Sequence, residues 1–597
     1  MKLSRLYSNK PDRFAPVSFA PGLNVVLGEI RAPENRDRDT HNLGKTTLGR
    51  VIDFCLLCDR DRGFFLFKHD KLFADFVFFL EIGLLDGSYI TVRRAVGTAS
   101  KISFKRHDTP DKDFSDVPEG YWDHVDVPFA KAKKLLDGAL DLRDLQPWAY
   151  RKVVGYLLRS QDDFREVFQL RKFAGSHSDW KPFLAHILGF DAKAVAEHYE
   201  KEEELATVRR EEDLLRSELG GSVADISKVE GMLLLKQTEA EKKQKLLDAF
   251  DFRQADKNKT RLVVDELDAK IARLNGERYS LMKNKKKISG ALEDEEILFD
   301  PHSASELFAE AGVVFGGQVK KDFEQLIAFN RAITEERRGY LKEELAEVEA
   351  ELKRVNAELT ELGRQRTETL SFLSGADVFT KYKQLTDELV TLLADITSLE
   401  RQRGFLRRLQ DLRARIRSLA EDKSHLQTLI EADVEQQNSE KTSKFSTIRL
   451  FFSEIVEEVI DRKALLSVAP NQQGHLELKA EILDDSGNAT SADLGFTYRK
   501  LLCVAFDLAV TRAHLDGRYP RFVFHDGIFE SLDGRKKQNL MEVLRSYAAV
   551  GIQEVVTMID SDLPALPPGE AFIQDAEIIL RLHDQDESGR LFRMPTW

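Results

Sequence analysis

Two short segments near opposite ends of this 597-residue chain carry the residue types of a site that binds phosphate groups. Near the N-terminus, the tetrapeptide 44–47 (Gly-Lys-Thr-Thr) follows an apolar run that ends at Gly28. Near the C-terminus, the apolar run 522–524 leads to Asp526. A lysine, hydroxyl groups and a carboxylate can together hold a nucleotide phosphate and its divalent cation. Because roughly 480 residues separate the segments, the chain must fold back to join them.

The N-terminal segment has a specific use in phosphate binding. Backbone N–H groups at a helix N-terminus bind phosphate oxygens, Lys45 reaches the outer phosphates, and the Thr46 hydroxyl can ligate Mg²⁺. The usual loop has four residues between its first glycine and Gly-Lys-Thr, whereas Gly28 stands further upstream. Gly-Lys-Thr-Thr alone could simply begin a helix, but the strand-like run before it favours a nucleotide site. The predicted nucleotide-binding residues of this segment are Gly28, Asn42, Gly44, Lys45, Thr46 and Thr47.

The residues around both segments predict a mixed α/β structure. Apolar runs at 25–27, 76–82, 522–524 and 554–558 predict buried strands, and apolar residues at helical spacing follow Lys45. The turn 86–88 predicts a β-hairpin between 76–82 and 89–92. The runs 576–582 and 590–592 predict a final hairpin by the same reasoning. We therefore expect residues 1–193 and 445–597 to form the two α/β halves of one domain.

The segment between these halves has a different period. Heptad repeats flanked by Glu, Lys and Arg are typical of a coiled coil, although one long buried helix shows a few such steps. We predict an outgoing helix over 194–285, a tip over 286–334 and a returning helix over 335–444, forming a long antiparallel arm. The clearest apolar seam consists of Leu341, Leu345, Val348, Leu352, Val355, Leu359 and Leu362.

Composition restricts the class of protein. Three cysteines favour a reducing compartment, and the Cys55/Cys58 pair is better explained as buried thiols than as half of a four-cysteine zinc site. The start of the chain lacks the apolar core of a signal peptide, and no run of about 18 apolar residues occurs. These features predict a cytoplasmic protein without a membrane partner. The net charge of −13 gives no whole-chain attraction to nucleic acid.

The motifs resemble those of a known group of proteins. The run Phe19-Ala-Pro-Gly-Leu-Asn-Val25 followed by Gly-Lys-Thr-Thr resembles the N-terminal heads of SMC (structural maintenance of chromosomes) proteins, RecN and RecF. The inserted loop before Asn42 and the segment 560–563 resemble the bacterial YydD-like ATPases. The resemblance implies an ABC-type P-loop ATPase head, assembled from the N- and C-terminal segments, with ATP and Mg²⁺ as cofactors.

The resemblance also assigns roles to single residues. Asp526 resembles the Walker B aspartate that holds Mg²⁺ through water. Gln161 resembles the Q-loop glutamine that senses the metal and the attacking water, although a solvated surface glutamine is the alternative. Asp533 falls at the spacing of the D-loop. With Thr46, these assignments make Gln161 and Asp526 the predicted metal-site residues.

Several positions depart from the pattern of ABC ATPases. Gly527 stands where a glutamate normally polarises water, and Met558 aligns with the expected switch histidine. Glu530 is the nearest carboxylate and either takes the catalytic role, beside Lys45, or only begins a helix. Binding of ATP is therefore better supported than fast hydrolysis.

The expected signature motif, Leu-Ser-Gly-Gly-Glu/Gln-Lys, aligns with residues 494–499, where the serine and both glycines are replaced. Gly495, Thr497 and Arg499 are the candidates for contacting ATP on the opposite subunit. The resemblance implies that two heads of a homodimer enclose two ATP molecules.

Basic clusters predict contacts with double-stranded DNA. Clustered arginines neutralise phosphates and give salt-dependent binding without sequence preference. The alternative is that these side chains only pair with glutamates on a solvated coiled coil. The tip contains no Cys-x-x-Cys, which excludes a zinc hook. The candidate DNA-binding residues are Arg401, Arg407, Arg408 and Arg415.

Two functions are compatible with these features. The first is an SMC-like ATPase whose ATP-dependent head dimerisation drives arm movement in DNA maintenance or anti-phage defence by DNA sensing, with a separate effector or accessory protein. The second is a slowly hydrolysing or non-hydrolysing, nucleotide-gated scaffold that regulates a partner effector without binding DNA. Gly527 and Met558 favour the second function, and the arginine run favours the first.

Overall fold

The structure is a computed structural model that describes residues 1–31, 43–170, 177–218, 225–249, 256–293, 317–371, 376–484, 486–490, 495–564, 571–595 and 597. The chain divides into two compact units. The first unit combines Met1–Glu203 with Ala420–Trp597, and the second comprises Glu204–Leu419. The halves of the first unit therefore come from opposite ends of the sequence, and Asn42 lies outside the described residues.

The strands found among the described residues belong to three sheets. In chain order they are β1 (Lys2–Ser8), β2 (Val17–Ser18), β3 (Leu23–Glu29), β4 (Val77–Gly83), β5 (Tyr89–Ala95), β6 (Lys101–His107), β7 (His124–Pro128), β8 (Leu158–Arg159), β9 (Ala464–Pro470), β10 (Leu476–Ile482), β11 (Phe522–Asp526), β12 (Gln553–Ile559) and β13 (Ile578–His583).

The α-helices include short turns and helices of many turns. In chain order they are α1 (Lys45–Cys55), α2 (Phe65–Lys68), α3 (Asp70–Phe73), α4 (Phe129–Leu140), α5 (Arg151–Leu157), α6 (His177–Leu188), α7 (Ala192–Glu218), α8 (Ile226–Asp248), α9 (Asp256–Glu293), α10 (Gly317–Ser371), α11 (Ala376–Ser439), α12 (Lys444–Ile460), α13 (Phe496–Ala513) and α14 (Gly534–Ala549). No described helix combines the length and apolar character needed to cross a membrane.

A parallel sheet of order β13-β3-β12-β11-β8 forms the centre of the first unit. β3 pairs with β12 so that Leu27 lies opposite Met558, and β12 pairs with β11 so that Thr557 lies opposite Asp526. Both faces of these strands are buried, which explains their continuous apolar runs. Because parallel strands all end at one edge, the register brings the ends of β3 and β11 together, although they come from opposite halves of the chain.

A second, antiparallel sheet of order β2-β1-β4-β5-β6-β7 belongs to the same unit. The predicted hairpin is confirmed, because β4 and β5 pair from Val77 opposite Ala95 to Gly83 opposite Tyr89. β9 and β10 form a separate two-stranded sheet.

The prediction of a final hairpin is wrong. β13 pairs in parallel with β3, and Phe592 instead forms an isolated antiparallel bridge with Phe14. The ring of Phe592 packs 5.0 Å from that of Phe14 and 5.2 Å from that of Phe73, measured between centroids. The apolar pattern identified a strand and a buried segment correctly, but their partners lie hundreds of residues away rather than beside each other.

A buried ion pair joins three elements of the first unit. Arg159, at the end of β8, binds Asp507 of α13 through two hydrogen bonds of 2.6 and 3.0 Å, and both side chains are almost fully buried. The imidazole of His525 in β11 lies 3.3 Å from the same carboxylate. Removing one partner of such a pair typically costs about 3–5 kcal/mol, because the remaining charge stays buried. The pair therefore fixes α13 against the parallel sheet.

The second unit is built from antiparallel helices. Apolar residues of α7 and α8, such as Leu205 and Leu233, share a buried cluster with Leu399 and Leu419 of α11. Near the other end of the unit, Ile288 of α9 packs with residues of α10. The antiparallel pairing of heptad seams is thus present in the described part of this unit. Residues 294–316 of the predicted tip lie outside the described residues, whereas 286–293 belong to α9 and 317–334 belong to α10.

All three cysteines are buried and free. Burial raises the pKa of Cys58 to about 11 and that of Cys503 to about 12, and it also raises the pKa of Cys55. Since the thiolate is the reactive form, folded protein should react with Ellman's reagent at pH 8 at least about 100-fold more slowly than a free thiol. Protein unfolded in guanidinium should release three equivalents of the coloured product. Rapid stoichiometric labelling of the folded chain would contradict this burial.

Candidate nucleotide site

The residue directly before α1 has a backbone conformation that favours glycine. Gly44 is the N-cap of the helix and has a φ of 100°, in the left-handed region that favours glycine. A Cβ at this position would lie 2.7 Å from the Cβ of Leu591, whose N–H donates a 3.0 Å hydrogen bond to the carbonyl of Leu43. Helix geometry leaves the first N–H groups of α1 without intrahelical acceptors, so they can receive phosphate oxygens.

The two predicted halves of the site meet directly. Thr46 donates a 2.5 Å hydrogen bond from its hydroxyl to Oδ2 of Asp526. The hydroxyl of Thr557 donates a 2.5 Å hydrogen bond to Oδ1 of the same carboxylate and accepts a 3.0 Å hydrogen bond from the N–H of Gly527. Asp526 is fully buried. A hydroxyl and a carboxylate this close provide the hard oxygen groups that suit Mg²⁺.

Lys45 lies beside these groups at the first position of α1 and is only 6% exposed. Burial lowers the pKa of its ammonium, and the carboxylates of Asp526, Glu530, Asp562 and Asp560 oppose that shift. Burying these charges together is costly unless each faces a group of opposite charge. The phosphates of a bound nucleotide would pair with the Lys45 ammonium, and a divalent cation would pair with the carboxylates.

Two other predicted residues of the N-terminal segment lie close to Lys45. Gly28 is the second-last residue of β3, and a Cβ there would approach the Lys45 side chain to 3.4 Å. Thr47 is half-buried in the first turn of α1. The structure thus brings together Gly28, Gly44, Lys45, Thr46, Thr47 and Asp526.

Glu530 and Gln161 also meet at this site. Nε2 of Gln161 donates a 2.9 Å hydrogen bond to Oε1 of Glu530, although the two residues are 369 positions apart. Gly527 makes this contact possible. Its φ is 66°, and a Cβ would lie 2.7 Å from Oε1 of Glu530 and 2.8 Å from Nε2 of Gln161. The glycine in the usual glutamate position therefore leaves room for the carboxylate of Glu530.

One residue of the site carries no signal in the sequence pattern. Lys500, in the second turn of α13, donates a 2.7 Å hydrogen bond from Nζ to the carbonyl of Gly527 and lies 3.2 Å from Oε2 of Glu530. It is 2% exposed. In the sequence Lys500 only precedes the apolar run 501–506, and that pattern does not indicate a role at the site.

The segment after β12 supplies carboxylates instead of a histidine. Met558 is buried within the strand, one residue before its end. Asp560 follows directly and accepts a 2.8 Å hydrogen bond from the N–H of Ile30, while Asp562 accepts a 3.2 Å hydrogen bond from the N–H of Ile559. The Asp560 contact attaches the segment to the end of β3, and the Asp562 contact closes the turn after β12.

The predicted signature and D-loop residues occupy helix starts. Gly495 is the N-cap of α13, and Thr497 lies half-buried in its first turn. Arg499 donates a 3.1 Å hydrogen bond to the carbonyl of Arg165 in the same unit. Asp533 is the N-cap of α14 and accepts a 3.0 Å hydrogen bond from the N–H of Lys536. Their contact with a second subunit stays a prediction.

Several candidate DNA-binding arginines have partners within the second unit. Arg407 pairs with Glu230 at 2.9 Å, Arg415 pairs with Glu204 at 2.6 Å, and Arg401 donates a 2.8 Å hydrogen bond to the hydroxyl of Ser280. Arg408 is exposed. These pairs account for part of the basic run as bonds between antiparallel helices. DNA binding stays a prediction.

Comparisons with known proteins identify one family and a set of solved structures. The family described as an uncharacterised protein conserved in bacteria (DUF2326) matches residues 455–596, a minority of the chain. No curated protein matches.

The similar solved structures include Smc head domains with coiled coils. The Smc head domain with a coiled coil and joint from Pyrococcus yayanosii is 14% identical, with a TM-score of 0.35, over 94% of this chain and 92% of that chain. The Smc head domain with an extended coiled coil from Pyrococcus furiosus, bound to the C-terminal domain of ScpA, is 13% identical, with a TM-score of 0.32, over 94% and 90%. At these TM-scores and identities, the similarity says nothing about activity.

Gly527→Ala tests the close packing at the site. A Cβ meets two side chains in addition to the unfavourable φ, so the substitution should lower the free energy of unfolding by about 2–3 kcal/mol. Gly487→Ala is the matched control, because its φ is 81° and nothing lies within 4 Å of an added Cβ. The control should cost about 1 kcal/mol. Denaturant titrations giving equal losses for the two variants would contradict the proposed crowding.

Proposed function

We propose that this chain is a P-loop ATPase of the ABC type, which binds ATP with Mg²⁺ at Lys45, Thr46 and Asp526. The observation that supports it most is the 2.5 Å contact between Thr46 and Asp526, residues separated by 480 positions. If Gly-Lys-Thr-Thr did nothing more than begin a helix, a buried lysine and a buried carboxylate would not need to lie together there. The first N–H groups of α1 and the Lys45 ammonium would hold the β- and γ-phosphates.

The proposed metal site consists of the Thr46 hydroxyl and the Asp526 carboxylate. When bound, Mg²⁺ neutralises charge on the β- and γ-phosphates. The hydrogen bond from Thr557 holds Asp526 in place, and that from Thr46 would be exchanged for the metal. The residues present therefore fit the cation.

In the proposed reaction Glu530 orients the attacking water. The water oxygen forms a bond to the γ-phosphorus while the bond to the bridging oxygen of ADP breaks, and the water proton passes to Glu530 and then to the released phosphate. Gln161, which donates to Glu530, would position both the carboxylate and the water. Because Gly527 has no side chain, it leaves room for the Glu530 carboxylate and the Gln161 amide.

The wider function that we propose follows from the SMC and YydD-like resemblance. Two heads would enclose two ATP molecules, with Gly495, Thr497, Arg499 and Asp533 reaching the partner's nucleotide. Gly495 and Asp533 are exposed at helix starts, which supports such a contact. Closure of the heads would move the coiled coils in DNA maintenance or anti-phage defence, together with a separate effector or accessory protein. The cytoplasm is the proposed location.

A second candidate function is a nucleotide-gated scaffold that turns over ATP slowly and does not bind DNA. Met558, buried where a switch histidine is expected, favours it. The ion pairs of Arg407 and Arg415 favour it as well, because they satisfy charges that would otherwise be available for phosphates.

Two substitutions separate binding from hydrolysis. Lys45→Ala should weaken ATP binding at least about 100-fold, because the phosphates lose their main cationic partner. Glu530→Gln should keep ATP affinity within about threefold and slow turnover about 100-fold or more, since a general base contributes 10²–10⁴-fold. Calorimetry and phosphate release measure these effects. Lys193→Ala, whose side chain is 86% exposed, is the control. Unchanged ATP binding in Lys45→Ala would overturn the proposed site.

DNA separates the two functions. An SMC-like ATPase should bind double-stranded DNA at low salt, and DNA should stimulate its turnover several-fold. The double variant Arg407→Ala/Arg415→Ala should lose this stimulation and show a smaller salt slope, since each phosphate contact releases counterions. Arg354→Ala/Arg364→Ala, which removes two similarly exposed and ion-paired arginines from α10, is the matched control. ATP turnover that DNA leaves unchanged would favour the scaffold.

A further inference from the structure

Lys500 is a buried cation at the candidate site, and it contacts Glu530 without taking part in the proposed proton transfer. Its Nζ lies between the carbonyl of Gly527 at 2.7 Å and Oε2 of Glu530 at 3.2 Å. Its side chain is 3% exposed, and that of Glu530 is 29% exposed. The ring centroids of Phe496 and Phe164 lie 5.1 and 5.7 Å from Nζ, so two aromatic rings flank the ammonium.

An ammonium in such surroundings needs strong partners. Burying a lysine costs several kcal/mol unless a carboxylate and hydrogen bonds offset the lost hydration. Two of its three N–H donors have oxygen partners, and the flanking aromatic faces add a favourable cation–π contact. The ammonium of Lys500 therefore depends on the Glu530 carboxylate to offset its lost hydration. In turn, Lys500 helps to hold that carboxylate in position.

The two oxygens of Glu530 have different partners. Oε1 accepts from Gln161 at 2.9 Å, and Oε2 faces Lys500 at 3.2 Å. Donors on both oxygens restrict rotation of the carboxylate about its last bond. Because each carboxylate oxygen has about two acceptor positions, one position on each oxygen remains for a water. The arrangement holds the carboxylate in one orientation without consuming its capacity to accept a proton.

The backbone beside Glu530 is held in the same way. Lys500 binds the carbonyl of Gly527, while the N–H of Gly527 donates to Thr557 at 3.0 Å. The turn that leads from Asp526 to Glu530 is thus bound from both sides. Replacing Lys500 would remove a hydrogen bond from the turn and an ionic partner from the Glu530 carboxylate at the same time.

Helix α13 connects both partners of Glu530. Lys500 lies near its start, and Asp507, two turns later, binds Arg159. Arg159 precedes Gln161 by two residues. The same helix therefore anchors the lysine that faces Oε2 and the segment whose glutamine donates to Oε1.

We propose that Lys500 is a positioning residue for ATP hydrolysis, which orients Glu530 toward the attacking water and couples this carboxylate to helix α13. The inference rests on the proposed ATPase function. It predicts that loss of Lys500 affects the rate of the chemical step while nucleotide binding at Lys45 and Thr46 is retained. A lysine with a purely structural role would instead affect stability alone.

Lys500→Met tests the role by removing the charge and all three donors while keeping a similar volume. Turnover should fall about 10- to 100-fold, as expected when a catalytic group loses its orientation. The Kd for ATP should stay within about threefold, and the single-turnover rate should fall with the steady-state rate. Lys500→Arg, which keeps a cation and donors, should restore at least one third of the rate. An unchanged turnover rate in Lys500→Met would overturn the inference.

Lys181→Met is the matched control for removing a buried lysine. Lys181 is 8% exposed and donates a 2.6 Å hydrogen bond to the carbonyl of Leu476, outside the candidate site. It should lower thermal stability without changing turnover at a temperature where the protein is folded. If Lys500→Met does not fold, Lys500→Gln, which retains a donor for the Gly527 carbonyl but has no charge, replaces it. Equal loss of turnover in the Lys181 variant would overturn a specific role of Lys500.

A double-mutant cycle with Glu530→Gln shows whether Lys500 acts through Glu530. If it does, Lys500→Met should change the residual turnover of the Glu530→Gln protein by less than about twofold. A full additional loss in the double variant would overturn the assignment as a positioning residue.

The wild-type measurement separates the two proposals. A wild-type chain that does not bind ATP contradicts the ATPase function itself, whereas active wild type with active Lys500→Met contradicts only the inference.

Discussion

The parallel pairing of β3, β12 and β11 is the constraint on which the rest of the candidate site depends. β3 comes from one end of the chain, and β11 and β12 come from the other. Their register places the end of β3 and Asp526 at one edge of the sheet, where Thr46 reaches the carboxylate at 2.5 Å. An antiparallel arrangement would have sent these two ends to opposite edges. The helices between the halves supply the length of chain that such a return requires.

Two buried or partly buried ion pairs of the first unit involve the same helix. The Arg159–Asp507 pair lies behind the sheet edge, and Lys500–Glu530 lies at the site itself. Both use α13, which makes this helix the common support of the elements that carry the proposed chemistry. Lys45 lies near several carboxylates, including those of Asp526 and Glu530. A divalent cation bound together with a phosphate ligand would pair with these carboxylates.

Local patterns predicted much of the secondary structure and failed where pairing was distant. The hairpin of β4 and β5 was predictable, because its strands are joined by a turn with its own residue preferences. The terminal run with the same kind of alternation pairs in parallel with β3 instead. Alternation shows that a segment is a strand, but it contains no information about which buried strand lies beside it.

The sequence by itself indicated the mixed α/β ends and the heptad helices between them, because the spacing of apolar residues encodes these elements, while its residue types and its resemblance to ABC ATPases indicated Lys45, Thr46 and Asp526. Only the tertiary structure decided that Gly527 makes room for Glu530, and that Lys500 faces this carboxylate. These contacts depend on side-chain directions and register across elements that are far apart in sequence. No local periodicity specifies such directions, so the relation of the carboxylate to its partners emerges only when the two halves pack together.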